Sequence, residues 1–464
     1  MSTRIAGIAF LLAGTVQLVA AQQSEIERRL DTVMGAWQQT GRPGAAVAYI
    51  DRGELVISKA YGIANLEHQI PWATSTVSDL GSVSKQFTGF AFALLAEQDL
   101  LNLDDDIRQY LPELPDLGET VTLRHLLNHT SGLREVYSTL YMVNRRPGDI
   151  IYQEDAQKLV SYQTKLQFPP GSRYLYNNTE YMLLADVVEA VSGVEFHEWM
   201  DVNIFKPLGM SDTQVMHEQG QVIVNVATSY GLSGEHFVQI YDNSTLQGGG
   251  GIYSTVQDVS KWMLNFASLQ VGSETTLELL TTPGQLNSGE LLDYGLGIDL
   301  ALEGDVEVWS HAGASAGYRS QLVYVPEHER GFIFLTNTPA NGVPVDELTA
   351  ALLGDVVPAS QPESEVSKSV PEQEAVPLKN PDAYAGRYFS DELESFYRVS
   401  LQEGKLVLSH RWLGAFTMRH LGGAVFDFED RGGSLQFAQE KTGEVSGFVF
   451  DDGRTLGVEF RRLP

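Results

Sequence analysis

The sequence predicts an α+β fold, an antiparallel sheet flanked by helices, followed by a C-terminal all-β barrel. Three observations predict it: an apolar hairpin near the start, a second hairpin near residue 330, and a dense run of short strands beyond a proline-rich stretch. The first element is an amphipathic helix, about Glu25 to Gln39. Ile26, Leu30, Val33, Met34 and Trp37 share one face, and Gly41 ends it. Gly44 to Ile50 and Leu55 to Tyr61 are apolar runs joined by a turn at Asp51-Arg52-Gly53, a hairpin signal. Ser320 to Val325 and Gly331 to Asn337 flank Pro326-Glu327-His328-Glu329 and form the second hairpin, with a helix from about Val345 to Leu353 after it. Both hairpins fit one antiparallel sheet whose face the first and last helices cover.

Residues 356–382 have a linker composition, with Pro358, Pro362, Pro371 and Pro377 among Ser, Glu and Gln. From about Ala383 come eight strand-like runs, starting near Tyr384, Phe396, Lys405, Ala415, Ala424, Ser434, Glu444 and Thr455. Glu403-Gly404, Gly422-Gly423, Thr442-Gly443 and Asp452-Gly453 mark turns between them. Such a series fits an up-and-down barrel over residues 383–464, and the same pattern fits a small β-sandwich.

Net charge is −29, which argues against nucleic acid or anionic lipid as a partner, because phosphate recognition needs basic patches. The absence of cysteine excludes disulfides, thiol nucleophiles and zinc–thiolate sites. Residues 1–21 read as a signal peptide: Arg4, an apolar stretch from Ile5 to Val19, then Val19-Ala20-Ala21 before Gln22. A membrane anchor is the competing reading, and the run is short for a span of ~20 residues. The expectation is an exported protein, periplasmic or secreted, with no membrane span after signal removal.

Three short motifs carry chemistry. Gly81-Ser82-Val83-Ser84-Lys85 precedes Phe87, Phe90, Ala91, Leu94 and Leu95, the apolar face of a buried helix. Ser82 and Lys85 are three apart and so share a face. A serine hydroxyl becomes nucleophilic when a neighbouring base accepts its proton, and a lysine serves if it spends time neutral. An N-cap serine beside a surface lysine would look the same. Tyr176-Asn177-Asn178 follows the turn Phe168-Pro169-Pro170-Gly171-Ser172 and opens another apolar helix. A tyrosine near a cation passes protons and an asparagine donates to a substrate carbonyl, although a turn tyrosine with a capping asparagine fits equally well. His311-Ala312-Gly313-Ala314 leads into the strand at Ser320. Small residues on a sheet edge admit a substrate backbone, and the N–H groups of Ala314 and Ser82 suit an oxyanion hole. In this role His311 would hydrogen-bond Tyr176 or a substrate carboxylate, although a lone surface histidine in a Gly/Ala loop would look the same.

With these motifs in this order, the chain resembles the serine β-lactamase and penicillin-binding-protein-like superfamily, and within it the class C branch of esterases, D-aminopeptidases and DD-carboxypeptidases. Thr122 to Leu133, Phe205 to Met210 and Gly249 to Thr255 are similar to further family stretches. The resemblance covers about residues 25 to 355, and it implies a β-lactamase-like hydrolase domain over 22–355 in which an all-helical subdomain stands beside the sheet. It implies Ser82 as the acylated nucleophile, Lys85 and Tyr176 sharing acid/base work, Asn178 orienting substrate, and His311, Gly313 and Ala314 lining the third side. No cofactor or metal is implied. The C-terminal strands are similar to the lipocalin-like barrel attached to some D-peptidases of this branch.

Many β-lactamases of this superfamily carry Lys-Thr-Gly at the third motif, where this chain has His-Ala-Gly. Histidine is largely neutral at pH 7, which weakens the case for β-lactam hydrolysis. The expected activity is therefore hydrolysis of an ester, D-amino-acid peptide or β-lactam through a covalent acyl-enzyme. The alternative is a penicillin-binding or sensing protein that retains the fold without turnover and uses the barrel to hold a ligand or partner. The substrate is a small molecule or peptide; oligomeric state is left open. His125 and His129 have the i, i+4 spacing of helical metal ligands, with no third ligand apparent.

Overall fold

The structure, a computed structural model, describes residues 23–143, 148–241, 243–358, 375–411, 413–429, 431–441 and 443–464. The expected signal peptide and most of the expected linker lie outside the described residues. Two compact units form. One holds the described residues of 23–100, 192–284 and 293–358; the other holds those of 101–191, 285–292 and 375–464.

The first unit is built on a six-stranded antiparallel sheet. Its strands are β1 (Ala45–Asp51), β2 (Glu54–Tyr61), β3 (Asp299–Glu303), β4 (Val306–Ser315), β5 (Tyr318–Val325) and β6 (Arg330–Thr336), in the spatial order β3-β4-β5-β6-β1-β2. The two hairpins read from the sequence do meet: β1 pairs with β6, Ala45 opposite Thr336. All seven residues of β1 are buried, which explains its unbroken apolar run, since a central strand covered on both faces has no solvent side.

One face is covered by helix α1 (residues 23–33) and by the late helix Val345–Leu352. Ile26, Leu30, Met34 and Trp37 pack with Val47, Tyr49, Phe332, Phe334, Leu348 and Leu352. The first helix is shorter than its periodicity predicts. It tightens into a 3-10 turn over Met34–Gln38, which carries Trp37 edge-on to Phe334 at 5.5 Å. On the other face lie α2 (Ser84–Glu97) and the helix Val256–Ser268. Trp262 sits 4.4 Å from the Phe87 ring and 5.0 Å from the Phe90 ring, so the apolar face of α2 is a core face, as the spacing required.

The second unit combines helices with a closed barrel. Its helices are α3 (Leu123–Leu127), α4 (Val136–Met142), α5 (Gln153–Tyr162) and α6 (Asn178–Ser192), which makes the two covering the sheet α7 (Val256–Ser268) and α8 (Val345–Leu352). Eight strands follow: β7 (Gly386–Ser390), β8 (Ser395–Gln402), β9 (Lys405–His410), β10 (Gly414–Gly422), β11 (Val425–Phe428), β12 (Ser434–Gln439), β13 (Val445–Asp452) and β14 (Thr455–Arg462). Pairing of Tyr388 with Arg462 joins β7 to β14 and closes the ring, which rules out the sandwich. Alternate residues point inward, and Tyr388, Tyr397, Phe426, Phe428, Phe437, Phe448, Phe450 and Phe460 fill the interior. The expectation that the barrel holds a ligand meets an interior already occupied by rings. Met142 of α4 joins the same cluster, and the Tyr397 hydroxyl donates to its carbonyl at 2.8 Å. The helical segment and the barrel thus share a core.

Candidate active site

From Thr76 to Leu95 every residue is buried except Ser82, which is partly exposed. The chain reaches it through a tight approach. The Asp79 carboxylate accepts from Gly81 N–H at 2.8 Å, and the Leu80 carbonyl accepts from the Ser320 hydroxyl at 2.6 Å. Gly81 adopts φ +51°, in the left-handed region, and a Cβ there would lie 2.6 Å from the Ala314 nitrogen. Glycine therefore lets the nucleophile turn lie directly against the third motif. Ser82 occupies the 3-10 turn Gly81–Val83 that leads into α2.

Lys85 is wholly buried. Its Nζ lies 3.2 Å from Ser82 Oγ and donates to the Gly249 carbonyl at 2.7 Å. One turn further, Thr88 Oγ1 donates to the Gly248 carbonyl at 2.8 Å, so the glycine-rich loop is bonded along α2. The amine thus points at the hydroxyl rather than to solvent. Sequence reasoning singled out Gly249 to Thr255 as a stretch but had no means of finding the acceptor it supplies.

The third motif lies at the end of β4. β3 pairs with β4 only as far as Ser310, so His311 to Ser315 keep β5 on one side and form an edge on the other. Gly313 is needed here: a Cβ would sit 2.1 Å from both the Leu80 carbonyl oxygen and Ser320 Oγ. His311 is buried. Its Nδ1 faces the Ala312 carbonyl at 2.7 Å and its Nε2 faces the Tyr294 hydroxyl at 3.0 Å. A carbonyl only accepts, so Nδ1 carries the proton and Nε2 accepts from Tyr294. Burial, then the nearby Lys85 charge, pushes the His311 pKa down to about 3, which keeps the ring neutral. Tyr294 carries no sequence signal that would have marked it.

The Tyr-x-Asn motif belongs to the second unit. Asn177 accepts from Thr179 N–H at 2.9 Å and so caps α6. Capping by Asn177 leaves the Asn178 amide for another task, and it donates to Glu135 Oε1 at 2.8 Å. The other Glu135 oxygen caps α4 through Ser138 N–H at 2.7 Å. Tyr176 is half-buried, its ring 4.3 Å from that of His129. His129 holds φ +58°, and its carbonyl accepts from Leu175 N–H at 2.8 Å. Its Nδ1 lies 2.6 Å from Glu180 Oε2, and the other Glu180 oxygen accepts from Ser131. His125 Nδ1 instead accepts from Thr122 N–H at 3.2 Å as part of the α3 cap. The two histidines serve different structures. Among the described residues no group of three or more His, Asp or Glu is arranged to hold a metal.

A family model described as beta-lactamase matches residues 26–355, which is most of the chain. The chain belongs to the beta-lactamase family. It is 28% identical to penicillin-binding protein 4* of Bacillus subtilis (strain 168) over 329 residues, covering 67% of this chain and 71% of that protein. It is also 28% identical to a D-aminopeptidase of Gluconobacter oxydans (strain 621H) over 315 residues, 67% of this chain but only 59% of the relative. Among solved structures, the octameric penicillin-binding protein homologue from Pyrococcus abyssi superposes with a TM-score of 0.63 at 23% identity, covering 94% of this chain and 99% of that one. At that coverage the likeness of fold takes in the barrel as well as the beta-lactamase domain. These relatives support a hydrolase of the beta-lactamase fold. No helix among the described residues is long and apolar enough to cross a membrane.

Proposed function

We propose that this protein is an exported serine hydrolase that works through a covalent acyl-enzyme on Ser82. The observation that carries the reading is the 3.2 Å approach of a wholly buried lysine amine to the one partly exposed hydroxyl in a buried segment. In the first step Ser82 Oγ attacks the substrate carbonyl and its proton passes to Lys85 as the free amine. The N–H groups of Ser82 and Ala314 stabilise the resulting oxyanion. Tyr176 returns a proton to the leaving group and Asn178 orients the acyl chain. Water then cleaves the ester on Ser82 by the reverse proton path, with no cofactor in either step.

Substrate preference follows from the third motif. A neutral, buried His311 supplies no fixed positive charge where Lys-Thr-Gly members hold a β-lactam carboxylate. This, with the D-aminopeptidase relatives, supports esters and D-amino-acid amides or peptides ahead of β-lactams. A fluorophosphonate label followed by intact-mass and peptide mapping tests the mechanism. Modification at Ser82, with turnover lost in Ser82→Ala, is expected. An unlabelled Ser82 under conditions that label a control hydrolase overturns the reading. Side-by-side turnover of p-nitrophenyl acetate, a D-alanine amide and nitrocefin ranks the substrates.

A further inference from the structure

In its first five residues α2 buries four polar side chains, Ser84, Lys85, Gln86 and Thr88. A hydroxyl taken out of water costs free energy unless it is bonded. Inside a helix, threonine ordinarily bonds back to the carbonyl four residues earlier. The Thr88 hydroxyl instead donates across to the Gly248 carbonyl at 2.8 Å. This buried hydroxyl therefore serves the loop rather than its own helix.

The loop is Gly248 to Gly251, four glycines with no side chains to fix their course. Gly248 and Gly251 both lie in the left-handed region, at φ +77° and +80°. At its far end the chain is well tied. Met216 N–H donates to the Gly251 carbonyl at 2.7 Å, Ile252 N–H to Ser84 Oγ at 3.3 Å, and Leu80 N–H to the Ile252 carbonyl at 2.9 Å. At its near end the tie to α2 is Thr88. Between these anchors lies the Gly249 carbonyl, which accepts from Lys85 Nζ at 2.7 Å. Consecutive carbonyls thus meet two residues one helical turn apart, Thr88 and Lys85.

We infer that Thr88 is a positioning residue for the base. The free amine of Lys85 has two N–H groups and one lone pair. With one N–H held on Gly249, rotation about Cε–Nζ brings the lone pair to Ser82 Oγ, 3.2 Å away. That acceptor belongs to a conformationally permissive run, so its direction is only as fixed as the peptide before it, and Thr88 fixes that peptide. All of these groups belong to the first compact unit. The inference rests on the serine hydrolase reading above and adds a residue that acts through Lys85 without touching substrate.

Fluorophosphonate labelling of Ser82 in the full-length protein tests it through a double-mutant cycle with Lys85→Met. Thr88→Val removes the hydroxyl and keeps the shape. It should slow labelling roughly 10- to 100-fold, the effect of misplacing a reacting group by about 1 Å. Thr88→Ser keeps the hydroxyl and should restore most of the rate. In the Lys85→Met background Thr88→Val should change nothing further, because the group it positions is gone. Losses that multiply in the double variant overturn the inference, since they mark a structural effect on the Ser82 turn itself. So does a Thr88→Val protein that labels like wild type. Thr88→Ala repeats the cycle with a smaller side chain and must give the same pattern, with rates taken per folded protein from thermal unfolding. If labelling of Ser82 depends on Lys85 but not on Thr88, the inference fails alone. Labelling that is absent, or indifferent to Lys85→Met, removes it together with the hydrolase reading or its choice of base.

Discussion

The Tyr294 hydroxyl lies 3.0 Å from Nε2 of the buried His311. With Nδ1 bonded to the Ala312 carbonyl, this contact fixes the ring in one tautomer and one orientation beside Ala312 and Gly313. Tyr294→Phe removes the donor and keeps the ring volume. It is expected to lower kcat/KM for p-nitrophenyl acetate roughly 5- to 20-fold, the worth of one buried hydrogen bond. Thermal unfolding then shows whether the loss is local: the midpoint should move only by a few degrees.

Lys85 has a second acceptor in Gly249, so its removal does more than delete a base. Lys85→Met fills the space with an apolar chain and leaves one carbonyl without its donor. Acylation of Ser82 should slow by about 10²–10⁴, the range for loss of a positioned base. Lys85→Arg should not rescue it, because guanidinium keeps its proton at all working pH values. The rate of fluorophosphonate labelling measures both. A Lys85→Met protein that labels as fast as wild type would exclude the amine as proton acceptor.

Gly81→Ala should be costly in activity before it is costly in fold. The residue has φ +51° and no room toward Ala314, so a methyl group pushes the nucleophile turn off the strand edge. A displacement of about 1 Å at the reacting atoms is enough for a loss near 100-fold, against a strain of about 1–3 kcal/mol in stability. Comparison of kcat/KM with the chemical-denaturation midpoint separates the two.

Arg134 and Glu392 join the helical segment to the barrel through a buried ion pair. Arg134→Leu leaves Glu392 and the carbonyls of Leu456 and Gly457 unpaired, a cost of about 3–5 kcal/mol. The double variant Arg134→Leu/Glu392→Leu should recover part of that, since the stranded charge is gone. Equilibrium denaturation of the four proteins reads the coupling directly.

Two buried groups give stability opposite dependences on pH. His311, with its pKa lowered to about 3, stays neutral while the unfolded chain binds a proton below its ordinary value near 6.5. The unfolded state then holds more protons, so stability falls as pH drops from about 6.5 toward 3. His311→Asn should lose about 2 kcal/mol less than wild type between pH 7 and pH 5. Asp186 bonds to Gln153 and Gln157, and burial raises its pKa to about 7. Here the folded state holds the extra proton, so stability falls as pH rises from about 4 through 7. Asp186→Asn should gain on wild type by about 2.5 kcal/mol between pH 5 and pH 8. Denaturation curves at those pH values check both signs.

Most of the architecture could be read in the chain because it is encoded at short range. The two hairpins announced themselves by paired apolar runs around turn residues, and the barrel strands by turns every few residues. Ser82 and Lys85 could be matched because three residues along a helix is a fixed distance whatever the rest of the protein does. The same holds for the apolar face of α2, whose spacing alone required the partner that Trp262 provides.

Other features have no local signature. Closure of the barrel depends on Tyr388 meeting Arg462 across 73 intervening positions, so the strands alone did not exclude a sandwich. Asn177 and Asn178 are adjacent and chemically identical; only the start of α6 made one a cap and aimed the other at Glu135. Gly249, Tyr294 and Arg454 reach Lys85, His311 and Tyr176 from distant or separately folded segments. Residue spacing by itself determined which elements exist and which neighbours share a face. Only the tertiary structure decided which far-off donor or acceptor completes each polar group, because that choice is made by packing and chain closure, which leave no periodic trace in the sequence.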